Sequence, residues 1–182
     1  MLRRLCRRLI DRAERQLDQP ADWLRDILDS SPAAFWKFGL FMTLAQHRAH
    51  APAPLWHLCR IAADQAEDCG PCVQIAVDAA VRDGVALALV EAAIARRPDA
   101  MPPLEALAYR YAGAIAAGEA EGEGLRLDLE ARIGAPAMAD LALAIATARV
   151  FPALKRGLGR AASCQRVVVR LPTIPGAADG RR

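Results

Sequence analysis

The chain has 182 residues, 54% of them hydrophobic and 25% charged, with a formal net charge of +3. That length suits one domain with its own core, and the abundance of Ala and Leu over β-branched and aromatic residues is helical. Arginines crowd the first fifteen residues and the last segment, so the middle is close to neutral or acidic, which argues against a nucleic-acid-binding body.

Residues 2–18 place Leu2, Leu5, Leu9, Ala13 and Leu17 at helical spacing, with arginines covering the other face. Such a helix packs on its own domain or a neighbouring subunit, or serves as an arm for an acidic partner or membrane surface. Charges interrupt it and no apolar h-region follows, so a secretory signal is not expected. No apolar run in the chain reaches the roughly 20 residues needed to span a bilayer. A cytoplasmic location and no membrane span are the expectation.

Pro20 ends this helix and Asp22 helps to start a short one over Trp23–Leu28. Ser30 or Ser31 before Pro32 is the cap of the next, about 32–47, which carries Phe35, Trp36, Phe38, Leu40, Phe41 and Leu44. This most aromatic stretch reads as core or subunit interface, with a pocket wall as the lesser alternative. His47 and His50 read as exposed loop residues. A helix over about 53–67 follows from Leu55, Leu58, Cys59, Ala62 and Ala66 at three- and four-residue steps.

Gly70 breaks that helix and Pro71 opens another, to about Arg82, with Gly84 after its end. Asp78 lies four residues after Gln74 and four before Arg82, spacings that suit polar pairs. Further helices are expected over about 85–96, 103–118 and 125–133. Gly134 ends the last of these, and Pro136 starts a long apolar helix that Pro152 should kink or break. The tail from Ala161 offers Val167–Val169 as its one strand-like run. The organisation expected is a basic amphipathic extension over 1–31, a helical domain over 32–160 and an extended tail over 161–182.

Cys69-Gly70-Pro71-Cys72 sits at the start of a helix, where unpaired N–H groups and the macrodipole favour a thiolate. In a reducing compartment a Cys-x-x-Cys is catalytic or metal-binding rather than structural. A zinc site would need two further ligands, and Cys59 and His57 are poor candidates for a tetrahedron. No cofactor is expected.

The chain resembles the carboxymuconolactone decarboxylase and alkylhydroperoxidase D-like superfamily, an all-α fold. The residues that carry the resemblance are Glu67–Cys72 opening a helix, the segment LEALAYRYAGAI from Leu104 to Ile115, and ALAIATARVFPALKRGLG over 142–159. It covers about residues 33–159. It implies an all-α, alkylhydroperoxidase D-like bundle and a dithiol that reduces hydroperoxides, with Cys72 attacking and Cys69 resolving. The peroxidase branch has a histidine four residues after the second cysteine and a glutamate twelve before the first. Here those positions hold Ala76 and His57. The expected rearrangement is a relay through His57, oriented by Glu67 or, second, Asp78.

The function expected is thus a thiol–disulfide oxidoreductase, a peroxidase, acting on a small hydroperoxide or disulfide and re-reduced by a dithiol donor. The alternative is a non-catalytic member of the fold whose relay has been lost. Decarboxylase or lactone chemistry, by resemblance, does not rest on a Cys-x-x-Cys. A homo-oligomer is expected from the apolar helices and from the resemblance.

Overall fold

The computed structural model describes residues 2–160 and Leu171. Among them are eight α-helices and no strand: α1 (Leu2–Leu17), α2 (Asp22–Ser30), α3 (Pro32–Ala45), α4 (Ala53–Ala66), α5 (Gly70–Arg82), α6 (Leu87–Ile94), α7 (Pro103–Ala117) and α8 (Gly122–Gly157). The all-α expectation holds. The strand-like run Val167–Val169 and the tail it belongs to lie outside the described residues.

α4 is the axis of the bundle. It packs on α5, α7 and α8 at once, so Leu55, Leu58, Cys59, Ile61 and Ala63 are all enclosed. The closest neighbour is α7, which meets it with Ala108 and Ala112, side chains small enough for close helix contact. The Cys59 thiol points to the Ala108 carbonyl at 3.5 Å, and burial pushes that thiol far above its ordinary range. α8 closes the other side with Leu129, Leu141, Ile145 and Ala148.

Asp140 of α8 fastens the loop before α4. One of its carboxylate oxygens accepts the backbone N–H groups of Ala49, His50 and Ala51 at 2.9, 2.6 and 2.8 Å. Burial works against the ionised form, but these three donors outweigh it and hold the carboxyl below its ordinary value. His47 and His50 are exposed in that loop, as expected, with His47 3.3 Å from the same carboxylate.

Several local signals act as the sequence implies. Ser31 caps α3 by accepting from the Ala34 N–H at 3.3 Å. Gly118 takes the left-handed conformation that ends α7, with φ 73°. Gly134 breaks α8 with φ 80°, so the segment before it and the apolar segment from Pro136 meet there. Gln74 donates to Asp78 at 2.8 Å, whereas Arg82 does not pair with Asp78.

Two expectations are corrected. α8 continues through Pro152 to Gly157 with helical backbone. The proline is itself fully buried, and the packing of its surroundings outweighs the lost N–H, which costs roughly 3 kcal/mol in an isolated helix. The aromatic helix α3 is not core: Ala45 is its one buried residue, and Leu40 is 71% exposed. By length and composition alone α8 also meets the measure of a membrane-crossing helix, as a buried core helix can, with a mean hydropathy of 1.5 over its most apolar window. Asp140 and Arg149 interrupt its apolar run. Half of that window is buried within this chain.

Candidate functional site

The two cysteines owe their position to how α4 ends. Asp68 turns left-handed, with φ 51°. Its N–H bonds the Gln65 carbonyl at 3.2 Å, while the Cys69 N–H bonds the Asp64 carbonyl at 3.3 Å. This pair of bonds is a Schellman closure, and it delivers Cys69 directly to the N-cap of α5. Gly70 and Pro71 form the start of α5, where a missing N–H costs nothing, and Cys72 completes the first turn.

Cys69 and Cys72 are bonded as a disulfide, their Cα atoms 5.3 Å apart. They differ in access. Cys69 is wholly enclosed, while Cys72 is 6% exposed and lines a cavity of about 830 Å³. The cavity lies between the α4–α5 pair and a cover made by α1, α2 and α3, with the end of α8 closing one side.

The described part of the N-terminal extension, residues 2–31, is therefore part of the site. Cys6 and Ile10 of α1 pack with Ala21 and Leu28. Arg25 of α2 grips Glu14, which also accepts the Ala21 N–H at 2.7 Å, and Arg160 holds Asp26 at 2.7 Å. Trp23 joins the cover to α8 through edge contacts with Phe38 and Phe151, centroids 5.5 and 6.4 Å away. Phe35, Phe38 and Met42 of α3 line the cavity, so two of its four aromatic residues form part of a wall, the lesser sequence reading.

Three buried polar groups surround Cys72 or share its cavity. The Lys155 ammonium lies 3.9 Å from the Cys72 sulfur and 5.8 Å from the centre of the Trp23 ring. Asp64 lines the cavity from α4, and burial pushes its carboxyl up to about 7, against the opposing pull of Arg60 and then Lys155. Two turns earlier on the same face of α4, His57 is 2% exposed. Its Nε2 bonds Asp83 at 2.9 Å, and its Nδ1 has no partner. Burial lowers its pKa below the ordinary value, and Asp83 offsets only part of that.

The expected orientation of His57 is corrected here. Its carboxylate partner is Asp83, at the far end of α5, and neither Glu67 nor Asp78. Glu67 instead binds two arginines of α8, Arg149 at 2.9 Å and Arg156. Burial favours its neutral form, but these two hydrogen bonds prevail and hold its carboxyl below the ordinary value. Glu67 thus ties the Cys69 turn to α8. Neither nitrogen of His57 bonds a cysteine sulfur directly.

Sequence reasoning missed Lys155, Asp64 and Asp83. Asp64 had a signal, seven residues after His57 on one helix face. Lys155 had a fainter one, a charge four residues after Phe151 in an apolar helix. Among the described residues no group of three or more His, Cys, Asp or Glu side chains is gathered as a metal site.

Fold and site together define an all-helical protein with a Cys-x-x-Cys disulfide at a helix N-terminus, opening onto a cavity. Compared with protein-family models, curated proteins and solved structures, the chain matches none.

Proposed function

We propose that the chain is a dithiol–disulfide oxidoreductase of the alkylhydroperoxidase D-like type, which reduces organic hydroperoxides held in the cavity. Cys72 is the attacking sulfur and Cys69 the resolving one. The observation that carries this reading is that Cys72 alone of the pair meets the cavity, with the Lys155 ammonium beside its sulfur. A helix N-terminus and a neighbouring ammonium both favour a thiolate once the disulfide is reduced.

In the reduced protein the Cys72 thiolate attacks the terminal oxygen of ROOH. The S–O bond forms, the O–O bond breaks, and RO⁻ takes a proton to leave as ROH. The Cys69 thiol then attacks the Cys72 sulfenic acid, expelling water and forming the disulfide. A dithiol donor returns two electrons and two protons. The proton for the leaving alkoxide comes from Asp64, whose carboxyl burial keeps protonated to higher pH than an ordinary aspartate. His57, held by Asp83, acts at the other end of the cavity and reaches the sulfur only through a bridging water or the substrate.

A second reading, a non-catalytic member of the fold, is favoured by Ala76 and by the engagement of His57 with Asp83. Peroxide consumption with a panel of dithiol donors separates the two. Wild type should turn over and Cys72→Ser should fall to background; a wild type no faster than Cys72→Ser supports the second reading. We also propose a cytoplasmic location and a homo-oligomer, the latter supported by the exposed Leu5, Trp36, Leu40 and Leu44 on α1 and α3. A clean monomer by light scattering at micromolar concentration would contradict the oligomer.

A further inference from the structure

The cavity is far larger than peroxide chemistry alone requires. Its volume of about 830 Å³ compares with roughly 30 Å³ for a water molecule in the liquid, and hydrogen peroxide is only slightly larger than water. The space is also strongly apolar on its cover side, where Leu17, Trp23, Leu24, Phe35, Phe38 and Met42 face inward. A bulky hydrocarbon fits such walls.

The opposite wall is polar at both ends. Cys72, Ile75, Ala76, Ala79 and Arg82 of α5 all line the cavity, at the three- and four-residue steps of one helix face. Cys72 and Arg82 are ten residues apart, which along a helix is about 15 Å. At the Cys72 end the groups are deeply buried: Asp64 and Lys155 are 3% and 5% exposed. At the other end Asp83 and Arg48 are 47% and 35% exposed, so the cavity has a mouth there.

The mouth carries a surplus of positive charge. Arg48 lies 3.5 Å from Asp83, which also holds His57. Arg82 makes no ion pair among the described residues and stands at the rim unneutralised. Within the cavity Arg60 adds a further cation, and the carboxylate of Glu14 is tied to Arg25. An unpaired guanidinium beside an apolar chamber suits the carboxylate of an amphiphile.

We propose that the cavity takes a long-chain amphiphile with one anionic head, a fatty-acid-like carboxylate held at Arg82, with its oxidised carbon about 15 Å away against Cys72. This rests on the proposed function and names the substrate class for it. The reacting carbon is then within the chain, not at its head. The hydroperoxide of a long-chain unsaturated acid has that layout, and its product is the corresponding hydroxy acid.

Binding is measured on the oxidised wild-type protein, so it is independent of thiol chemistry. Calorimetric titration uses monomeric oleate, methyl oleate and vesicles of phosphatidylglycerol. Oleate should bind one per chain, at least about tenfold tighter than the ester, which lacks the charge. Arg82→Ala should abolish that preference and leave ester binding unchanged; Arg82→Lys should restore part of it. Equal affinity for acid and ester, an undiminished preference in Arg82→Ala, or binding to vesicles without binding of monomeric oleate would each overturn the proposal. Turnover of tert-butyl hydroperoxide without oleate binding overturns the ligand class alone. Oleate binding without any hydroperoxide turnover overturns the function it rests on.

Discussion

Along α4, Leu58, Cys59, Ile61 and Ala63 are fully enclosed, whereas along α3 only Ala45 is buried and Leu40 is 71% exposed. Yet α3 is by composition the more apolar of the two helices. Burial follows the number of neighbours a helix has, not its own hydrophobicity. α4 is surrounded by α5, α7 and α8, while α3 touches α2 and the end of α8. The cavity exists because the outer helices do not pack down onto the inner ones. It is lined on the inner side by the groups with chemistry and on the outer side by aromatic and aliphatic side chains.

The largest test of this contrast is Leu58→Ala in α4. It should cost about 2–5 kcal/mol in urea unfolding, because a tightly packed site cannot collapse around the cavity left behind. A loss under about 1 kcal/mol would mean that the inner layer is not the close-packed one.

Asp64 lies at the boundary between the layers and should make stability depend on pH. Its folded pKa is raised to about 7 from an ordinary 3.8, so the folded state holds a proton that the unfolded state has already released. Stability should therefore fall as pH rises from about 4 to 7, by up to about 4 kcal/mol. Asp64→Asn should remove that slope, which paired melts across the range would detect. An unchanged slope would mean that the carboxyl is ionised in the folded protein.

Two substitutions in the outer layer should be mild. Ser31→Ala removes the cap on α3 and should cost about 0.5–1 kcal/mol. Leu40→Ala should change unfolding free energy by less than about 0.5 kcal/mol. A cost for Leu40→Ala that appears only at high protein concentration would place this side chain in an interface between copies.

Much of the fold was legible because its helix ends carry local signals. Ser31 before Pro32, Gly70-Pro71, Gly118 and Gly134 each act within a few residues of where they stand. The Cys-x-x-Cys position was legible for the same reason, since the turn that sets it is made of adjacent residues. What was not legible depends on distance along the chain. The partner of His57 is 26 residues away and the ammonium beside Cys72 is 83 away, and no spacing rule predicts either. The nearby acid, Glu67, was the natural choice for His57, but two arginines from α8 claim it. The apolar sequence of α3 suits core, interface and pocket wall alike, because it does not say how many neighbours will cover it. Helix propensity alone makes Pro152 a break, and tertiary packing overrides it.

The central claim is that Cys72, at the cavity, is the sulfur that meets the oxidant. Reduced Cys69→Ser and Cys72→Ser proteins, each treated with one equivalent of organic hydroperoxide and a sulfenic-acid trap, test it by peptide mass spectrometry. The account predicts trapped sulfenic acid on Cys72 in Cys69→Ser, and no label on Cys69 in Cys72→Ser. Label on Cys69, or on neither cysteine of the pair while the peroxide remains unconsumed, would contradict it.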